Sequence, residues 1–259
     1  MNAGAISRFV PRRVRQAFPN RPFAGTTLLP ISSFSSIRSR ANAVMKIYPV
    51  KSIFKAVTVA AAFVFPAAAA YANGTVLNGM DFGPLAQLAG TWKTAPSGGQ
   101  DVAPGKEGSK VGKGGQAVEA YYETYTFEPA ADDTNASNQY LVAMYYKQEV
   151  FRKRDNKKFH DERGYLQYDK KNQMVYDTFC IPRGVCVVAE GKPGDKMTLI
   201  TKSKGVAESE YMVKNDDATN FTITYDVSGN TLKYTQVTQL HVYGKPFVHV
   251  DSSTLTRVN

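Results

Sequence analysis

The sequence predicts an all-β protein in which about ten antiparallel strands close into a barrel. From Asn73 onward the chain is rich in Tyr, Thr, Val and Phe, which suit a pleated, half-buried surface. From Val118 onward, short runs of these residues alternate with Gly, Pro, Asn and Asp turn signals. No segment there keeps a helical period long enough to connect parallel strands, and closing a meander removes its exposed edges. A β-sandwich is the alternative that the pattern leaves open.

The charge distribution separates an N-terminal segment from the rest of the chain. The 259 residues have a formal net charge of +10, with 32 Lys and Arg against 22 Asp and Glu. Ten of the basic residues and none of the acidic ones lie up to Ala72, so the remainder is neutral. A protein that binds nucleic acid needs a basic face on its folded domain. We therefore expect no nucleic-acid partner.

Residues 45–72 have the order of a secretory signal peptide. Three lysines precede an apolar run over residues 56–70, and Ala-Tyr-Ala at 70–72 is a small-x-small cleavage site. Cleavage after Ala72 would export the protein to the periplasm or the extracellular space and leave no stable membrane span. An uncleaved membrane anchor is the alternative, although the run is short for a spanning helix.

The domain organisation follows from this signal. Residues 1–44 are rich in Arg and Ser without acidic residues, which is typical of an organellar transit peptide or of an upstream start before Met45. Residues 45–72 are the signal peptide and residues 73–81 a linker. Residues 82–259 form the predicted ligand-binding barrel, which is of ordinary size for one domain.

Each element of the barrel domain has a local signal. Pro84, near the start of the apolar stretch 82–88, predicts a short helical turn. Residues 94–116 are rich in Gly, Lys, Pro and Ser and predict a flexible surface loop, because the phosphate-loop spacing is absent. Turn residues bound the predicted strands, which are 118–127, 139–151, 160–168, 173–179, 184–190, 196–201, 209–213, 219–226, 231–243 and 248–258.

Cys180 and Cys186 are the only cysteines, and Ile-Pro-Arg-Gly-Val lies between them. Export would place them in an oxidising space, where a pair of cysteines is often bridged. On one straight strand the sulfurs would be roughly 20 Å apart. Only a reversal at the Pro-Arg-Gly turn would allow a disulfide, so a bridge and two buried thiols both remain open.

The three histidines suggest binding rather than catalysis, and we predict no catalytic residue. The sequence contains no Gly-x-Ser-x-Gly elbow and no zinc-protease spacing. His160 shares a strand face with Glu162 and is either a lumen residue or a structural histidine bonded to a neighbour. His241 lies on a polar face, and His249 on a mixed face. A barrel of about ten strands has room for one hydrophobic small molecule.

Several stretches, in the same order along the chain, resemble the nitrobindin-like haem-binding β-barrel family, also described as fatty-acid-binding-protein-like. The resemblance runs from Phe82 to Val258. The stretches are Phe82-Gly83-Pro84-Leu85, Leu88-Ala89-Gly90-Thr91-Trp92, Asp101-Val102-Ala103-Pro104-Gly105, Tyr121-Tyr122-Glu123-Thr124, Phe127-Glu128-Pro129, Phe159-His160-Asp161-Glu162, Gly164-Tyr165, Ile181-Pro182-Arg183-Gly184-Val185, His249-Val250-Asp251, Thr254-Leu255 and Arg257-Val258.

The resemblance implies a barrel that holds haem b in a central cavity. It makes His249 the candidate proximal ligand of the haem iron and places His160 on the distal side. Counted from the C-terminal basic residue, the family's ligand position falls nearer Ser252. This offset favours a haem-free carrier of fatty acid or another lipophilic molecule as the alternative. A haem-dependent peroxynitrite isomerase is the second alternative.

Overall fold

The structure, a computed structural model, describes residues 74–258. The predicted extension 1–44 and signal peptide 45–72 lie outside the described residues. Almost all of the described part is β-structure. Its strands are β1 (Val76–Leu77), β2 (Met80–Asp81), β3 (Gly90–Pro104), β4 (Gln116–Thr134), β5 (Tyr140–Arg152), β6 (Lys158–Asp169), β7 (Met174–Ile181), β8 (Val185–Gly191), β9 (Lys196–Glu208), β10 (Asp216–Ser228), β11 (Thr231–Val242) and β12 (Lys245–Val258), and its helices are a 3-10 helix (Gly83–Leu88) and α1 (Glu210–Asn215).

Ten of these strands form a closed antiparallel barrel. Strands β3 to β12 pair in chain order, and β12 pairs back onto β3 to close the sheet. The prediction of an all-β antiparallel barrel is confirmed, and the sandwich alternative is wrong. Closure leaves no exposed edge on the main sheet, which explains why such long strands need no covering helix.

One end of the barrel is closed by a plug of apolar side chains, which we call the floor. It consists of Phe82, Leu85 and Leu88 from the 3-10 helix region and Trp92 from β3, all fully buried. Pro84 lies at the start of the helix, as its fixed φ angle predicts. The indole Nε1 of Trp92 donates to the Leu88 carbonyl at 2.7 Å, so burial leaves its polar atom satisfied.

The predicted loop over 94–116 is wrong in its first half. Strand β3 runs to Pro104, with a register shift between Lys93 and Gly99 in its pairing with β4. Pairing on both sides, with β4 and β12, overrides the weak local strand propensity of this Gly- and Pro-containing segment. Gly99 is required there, because the Tyr121 ring lies where a Cβ would be.

The predicted strand 209–213 is also wrong, because these residues lie in α1. Ser209 is the N-cap, and its hydroxyl accepts a hydrogen bond from the Met212 amide at 3.3 Å. Glu210 follows in the first turn and Lys214 in the last, both on the favourable side of the helix dipole. No helix among residues 74–258 is long and apolar enough to cross a membrane.

Two further segments have defined structure. Residues of the predicted linker 73–81 form a small hairpin, in which β1 pairs with β2. Cys180 and Cys186 are direct cross-strand partners in the β7–β8 hairpin, with their Cα atoms 4.1 Å apart, and they form a disulfide. The chain reverses between Ile181 and Val185, which supplies the turn that a bridge requires.

Candidate ligand site at the histidine end

The end of the barrel away from the floor carries two histidines and two aspartates on its inner face. We call this region the histidine end and define it by Asp101 of β3, His160 of β6, and His249 and Asp251 of β12. Strand alternation places them there, because His160 and Glu162 share a face, and so do His249 and the buried Leu255. In the β12–β3 pairing, Asp251 lies directly opposite Asp101.

His249 is held between two carboxylates. Its Nε2 lies 2.7 Å from Oδ1 of Asp101 and 3.2 Å from Oδ2 of Asp251. Burial by itself lowers the pKa of His249, but the hydrogen bond to Asp101 and the charges of both aspartates outweigh it. The pKa of His249 is therefore raised above its ordinary value. The imidazole serves as a hydrogen-bond donor that shields two neighbouring carboxylates from each other.

The environment of Asp251 perturbs its carboxyl group. Burial raises its pKa to about 6, and the negative charge of Asp101 adds to the effect. The charges of His249 and His160 oppose it, which means that both histidines lie within electrostatic range of this carboxylate. The two predicted haem-contacting histidines therefore belong to one region of the barrel.

His160 has a free ring nitrogen. Its Nε2 is buried and has no hydrogen-bond partner among residues 74–258, although Oε2 of Glu162 lies 3.5 Å away. Of the two sequence interpretations, this geometry favours the lumen residue over the satisfied structural histidine. An imidazole nitrogen without a partner is costly inside a protein, and it marks a place where a ligand atom could be bound.

A pocket of about 290 Å³ adjoins His160 near the start of β6. Most of its exposed wall is apolar. The wall is formed by the first residues of β6 and by the end of β7 with the turn that follows it. Small-ligand sites begin at roughly 300 Å³, so this pocket is at the lower limit of that range. Its lining residues are Lys158, Phe159, His160, Asp161, Ile181, Pro182 and Arg183.

The middle of the barrel is filled by tyrosines and carboxylates rather than by a large cavity. The Tyr234 hydroxyl lies 2.7 Å from that of Tyr121 and contacts Glu123. Glu123 also accepts a hydrogen bond from the Gln148 amide at 2.6 Å, and burial raises the pKa of Glu123 to about 7. These side chains fill the position where the resemblance implies a central haem, and the pocket beside His160 lies outside it.

A second buried cluster lies closer to the floor. The Tyr146 hydroxyl lies within hydrogen-bond distance of two carboxyl groups, 2.7 Å from Glu162 and 2.9 Å from Asp177, and the Tyr225 hydroxyl lies 3.3 Å from Asp177. Burial raises the pKa of Asp177 well above its ordinary value. The sequence analysis missed both clusters. The sequence pattern that indicates such a cluster is an acidic residue between aromatic residues on the same face of a strand, as in Tyr121, Glu123 and Tyr125.

Two other predicted positions lie away from the inner face. His241 is exposed on β11, as its polar strand face predicts. Ser252 alternates with the inward-facing Asp251 and Ser253, so its side chain is on the outer side of β12. Its backbone carbonyl accepts a hydrogen bond from the Tyr121 hydroxyl at 3.2 Å. The inward position nearest to the family's ligand position is therefore held by Asp251 or Ser253.

Comparison with known proteins gives the fold and site a family. The family model described as "THAP4-like, heme-binding beta-barrel domain" matches residues 81–257. The chain belongs to this family. Membership makes the protein a small-ligand-binding barrel with haem as a candidate cofactor, and the nitrobindin-like resemblance is confirmed.

Other comparisons add little. A solved structure, that of Rv2717c from M. tuberculosis, is 18% identical with a TM-score of 0.47, and the match covers 68% of this chain and 95% of that one. The search of curated proteins finds no match.

The histidine end fits haem in its donor chemistry. Haem binding needs an imidazole nitrogen for the iron and apolar surroundings that limit solvent access. His160 has a buried nitrogen without a partner, and Phe159 and Ile181 line the pocket beside it. Arg183 also lines this pocket and carries the charge that a haem propionate pairs with. Iron bound by His249 at Nε2 would displace that nitrogen from both carboxylates.

Proposed function

We propose that this protein is an exported β-barrel that binds haem at the histidine end. The observation that carries the proposal is the buried Nε2 of His160, which lacks a hydrogen-bond partner within residues 74–258 and lies beside an apolar pocket. His160 would hold the iron, Phe159 and Ile181 would contact the macrocycle, and Arg183 would pair with a propionate. His249, the ligand that the sequence resemblance implies, is the alternative and would first have to leave Asp101 and Asp251.

Bound haem supplies an iron centre that takes small ligands and exchanges electrons. The residues around it have other tasks. Glu162 lies 3.5 Å from the same Nε2 of His160, so iron binding would require the imidazole to turn away from this carboxylate. The tyrosines of the barrel centre keep the ligand from moving deeper into the lumen, because they are fully buried and packed.

Export is the second part of the proposal. The disulfide between Cys180 and Cys186 supports it, because disulfides persist in oxidising compartments and are rare in reducing ones. The predicted signal peptide over 45–72 is the other support. N-terminal sequencing of protein recovered from the exported fraction should begin at Asn73. Recovery of the protein only in the cytoplasm would contradict export.

The interior does not favour the haem-free fatty-acid carrier. A fatty acid needs an apolar tunnel for its chain and a positive group for its carboxylate. Here the barrel centre holds Glu123, Glu162 and Asp177, all buried, among packed tyrosines. Mass spectrometry of a solvent extract would reveal a co-purifying lipid.

Haem titration tests the proposed function. Purified protein mixed with hemin should develop a shifted Soret band that saturates at one haem per chain. His160→Ala should abolish the shift or weaken haem binding at least tenfold, because the iron would lose its protein ligand. His241→Ala is the matched control, since His241 is exposed on β11, and it should behave as the wild type.

The same titration separates the two candidate ligands. If His160 holds the iron, His249→Ala should keep a Soret band close to that of the wild type. A loss of the band in His249→Ala with retention in His160→Ala would assign the iron to His249 instead. Wild-type protein that leaves the hemin spectrum unchanged would contradict haem binding altogether.

A further inference from the structure

Three side chains at the histidine end form a second candidate centre. We propose that Asp101, His249 and Asp251 bind a divalent first-row transition-metal ion directly, without a porphyrin. One ligand atom from each residue lies within 4.8 Å of the others, and the structure contains no ion. The proposal goes beyond haem binding and does not depend on it, because it uses different residues from the pocket beside His160.

The distances among the three donors suit direct coordination. Nε2 of His249 lies 2.7 Å from the Asp101 carboxylate and 3.2 Å from the Asp251 carboxylate. An ion with bonds of about 2.0 to 2.2 Å to nitrogen and oxygen holds its ligand atoms roughly 3 to 3.5 Å apart. Two of the three separations are therefore near those around a bound ion, and the third, between the two carboxylates, is at most 4.8 Å.

The backbone around the site is rigid. Asp101 and Asp251 are direct partners in the β12–β3 pairing, and His249 lies two residues before Asp251 on the same inner face. All three side chains are at least three-quarters buried. Ligands on paired strands of a closed barrel keep their spacing without the ion, which lowers the ordering cost of binding.

The donor set selects a class of ion. Two carboxylates and one imidazole neutralise a divalent cation, which removes the charge penalty of a half-buried site. Mixed nitrogen and oxygen donors suit Zn²⁺, Mn²⁺, Fe²⁺ and Co²⁺. Cuprous ions prefer sulfur ligands, and Mg²⁺ and Ca²⁺ prefer sites made of oxygen alone.

Gln236 provides an independent observation that points to a ligand. It lies directly opposite Asp251 in the β11–β12 pairing, so its side chain is on the inner face beside that carboxylate. Gln236 is only 6% exposed, and its amide Nε2 has no hydrogen-bond partner in the described part of the chain. A buried donor without an acceptor is costly. A water or anion on an open coordination position of the ion would supply that acceptor.

Calorimetry of zinc binding to the purified full-length protein tests the inference, after a chelator has removed any bound metal. The wild type should bind one Zn²⁺ per chain. Asp101→Asn, Asp251→Asn and His249→Ala should each weaken zinc binding at least tenfold, because each removes one of three ligands. Asp133→Asn and His241→Ala are matched controls at exposed positions, and both should retain the wild-type affinity.

A spectroscopic measurement on the wild type avoids any effect of the substitutions on folding. Co²⁺ bound through an imidazole and carboxylates should give visible absorption bands, and one equivalent of Zn²⁺ should remove them. The inference is overturned if the wild type binds less than one Zn²⁺ and shows no Co²⁺ bands. It is also overturned if Asp101→Asn and Asp251→Asn both remain folded by circular dichroism and bind Zn²⁺ with wild-type affinity.

The zinc proposal and the haem proposal can be contradicted independently of each other. His160→Ala should lose haem and keep zinc, whereas Asp251→Asn should lose zinc and keep haem. If His249 instead ligates the haem iron, zinc and hemin should compete for the protein, because Nε2 of His249 cannot bind both metals. Zinc binding without any hemin response would leave this site standing and contradict only the proposed haem function.

Discussion

The hydroxyl of Tyr234 lies 2.9 Å from Oε2 of Glu123, in the interior of the barrel and away from solvent. Glu123 is 2% exposed and accepts a further hydrogen bond from Gln148. These donors do not fully offset the cost of a buried negative charge. Burial dominates and raises the pKa of Glu123 from 4.5 to about 7.

Stability should therefore fall as the pH rises through this range. Between the unfolded value of 4.5 and the folded value of about 7, the native protein keeps a proton on Glu123 that the unfolded chain has lost. The loss should reach about 3 kcal/mol above this window. Urea unfolding at a series of pH values from acid to neutral measures it. Glu123→Gln, which cannot ionise, should remove this part of the dependence and leave the parts that come from Asp177 and Asp251.

Glu149→Gln is the matched control for this series. Glu149 lies near the surface, where its hydrogen bond to Lys158 lowers the pKa of the carboxyl. Above about pH 5.5 Glu149 is ionised in both the folded and the unfolded chain, so its substitution should leave the loss of stability between pH 5.5 and neutral pH as in the wild type. Equal pH dependence in Glu123→Gln and the wild type would contradict the assignment to Glu123.

The disulfide should make a modest contribution to stability. Cys180 and Cys186 are six residues apart, so the bridge closes a short loop and restricts the unfolded chain only slightly. Replacing both by Ser should cost about 2 kcal/mol and lower the Tm by roughly 4 to 8 °C. Thermal melts with and without a reductant measure this, and the reductant should change only the wild type. No effect of the reductant on the wild type would mean that the bridge is absent.

Arg257 connects β12 to the floor by hydrogen bonds and a ring contact. Its guanidinium donates to the carbonyls of Ala89 and Gln87 and lies 4.1 Å from the centre of the Trp92 ring. Arg257→Ala should cost about 2 to 4 kcal/mol, because it leaves two partly buried carbonyls without their donor. Arg257→Lys should recover part of this loss. Trp92 is the only tryptophan, so its fluorescence follows unfolding directly.

Arg154→Ala is the control for that substitution. Arg154 pairs with Glu119 at the surface with two-thirds of its side chain exposed, so its loss should cost no more than about 0.5 kcal/mol. An Arg257→Ala variant as stable as Arg154→Ala would show that the contact with the floor is energetically neutral.

Gly164 allows the Tyr146 ring to pack against β6. A Cβ at this position would lie 2.5 Å from the Thr178 carbonyl oxygen and 2.9 Å from Cζ of Tyr146. Gly164→Ala should therefore cost about 1 to 3 kcal/mol in urea unfolding, since both neighbours must move. Gly194→Ala, where the nearest atom is 3.3 Å away, should cost less. Equal losses in the two variants would contradict a packing effect at Gly164.

Alternation and turn residues were sufficient to predict much of the fold. The regular alternation from Phe221 to Val227 predicted an inner and an outer face, and the structure has the same two faces. The segments at 94–104 and 209–213 were mispredicted for opposite reasons. In β3, pairing on both sides overrides a weak strand propensity. In α1, the Ser209 cap starts a helix of only six residues, which is too short to show a helical period in the sequence.

The sequence by itself determined which side chains share a strand face, such as His160 with Glu162, because strand alternation is a local property of the backbone. It did not determine whether the mixed face of His249 points inward. Only the tertiary structure decided which side chains meet. Asp101 and His249 are 148 residues apart, and Glu123 and Tyr234 are 111 apart. Their contacts depend on the register of every intervening strand and on the closure of β12 onto β3. The pattern along one strand excludes registers that turn its buried face outward, but it does not choose among the registers that remain.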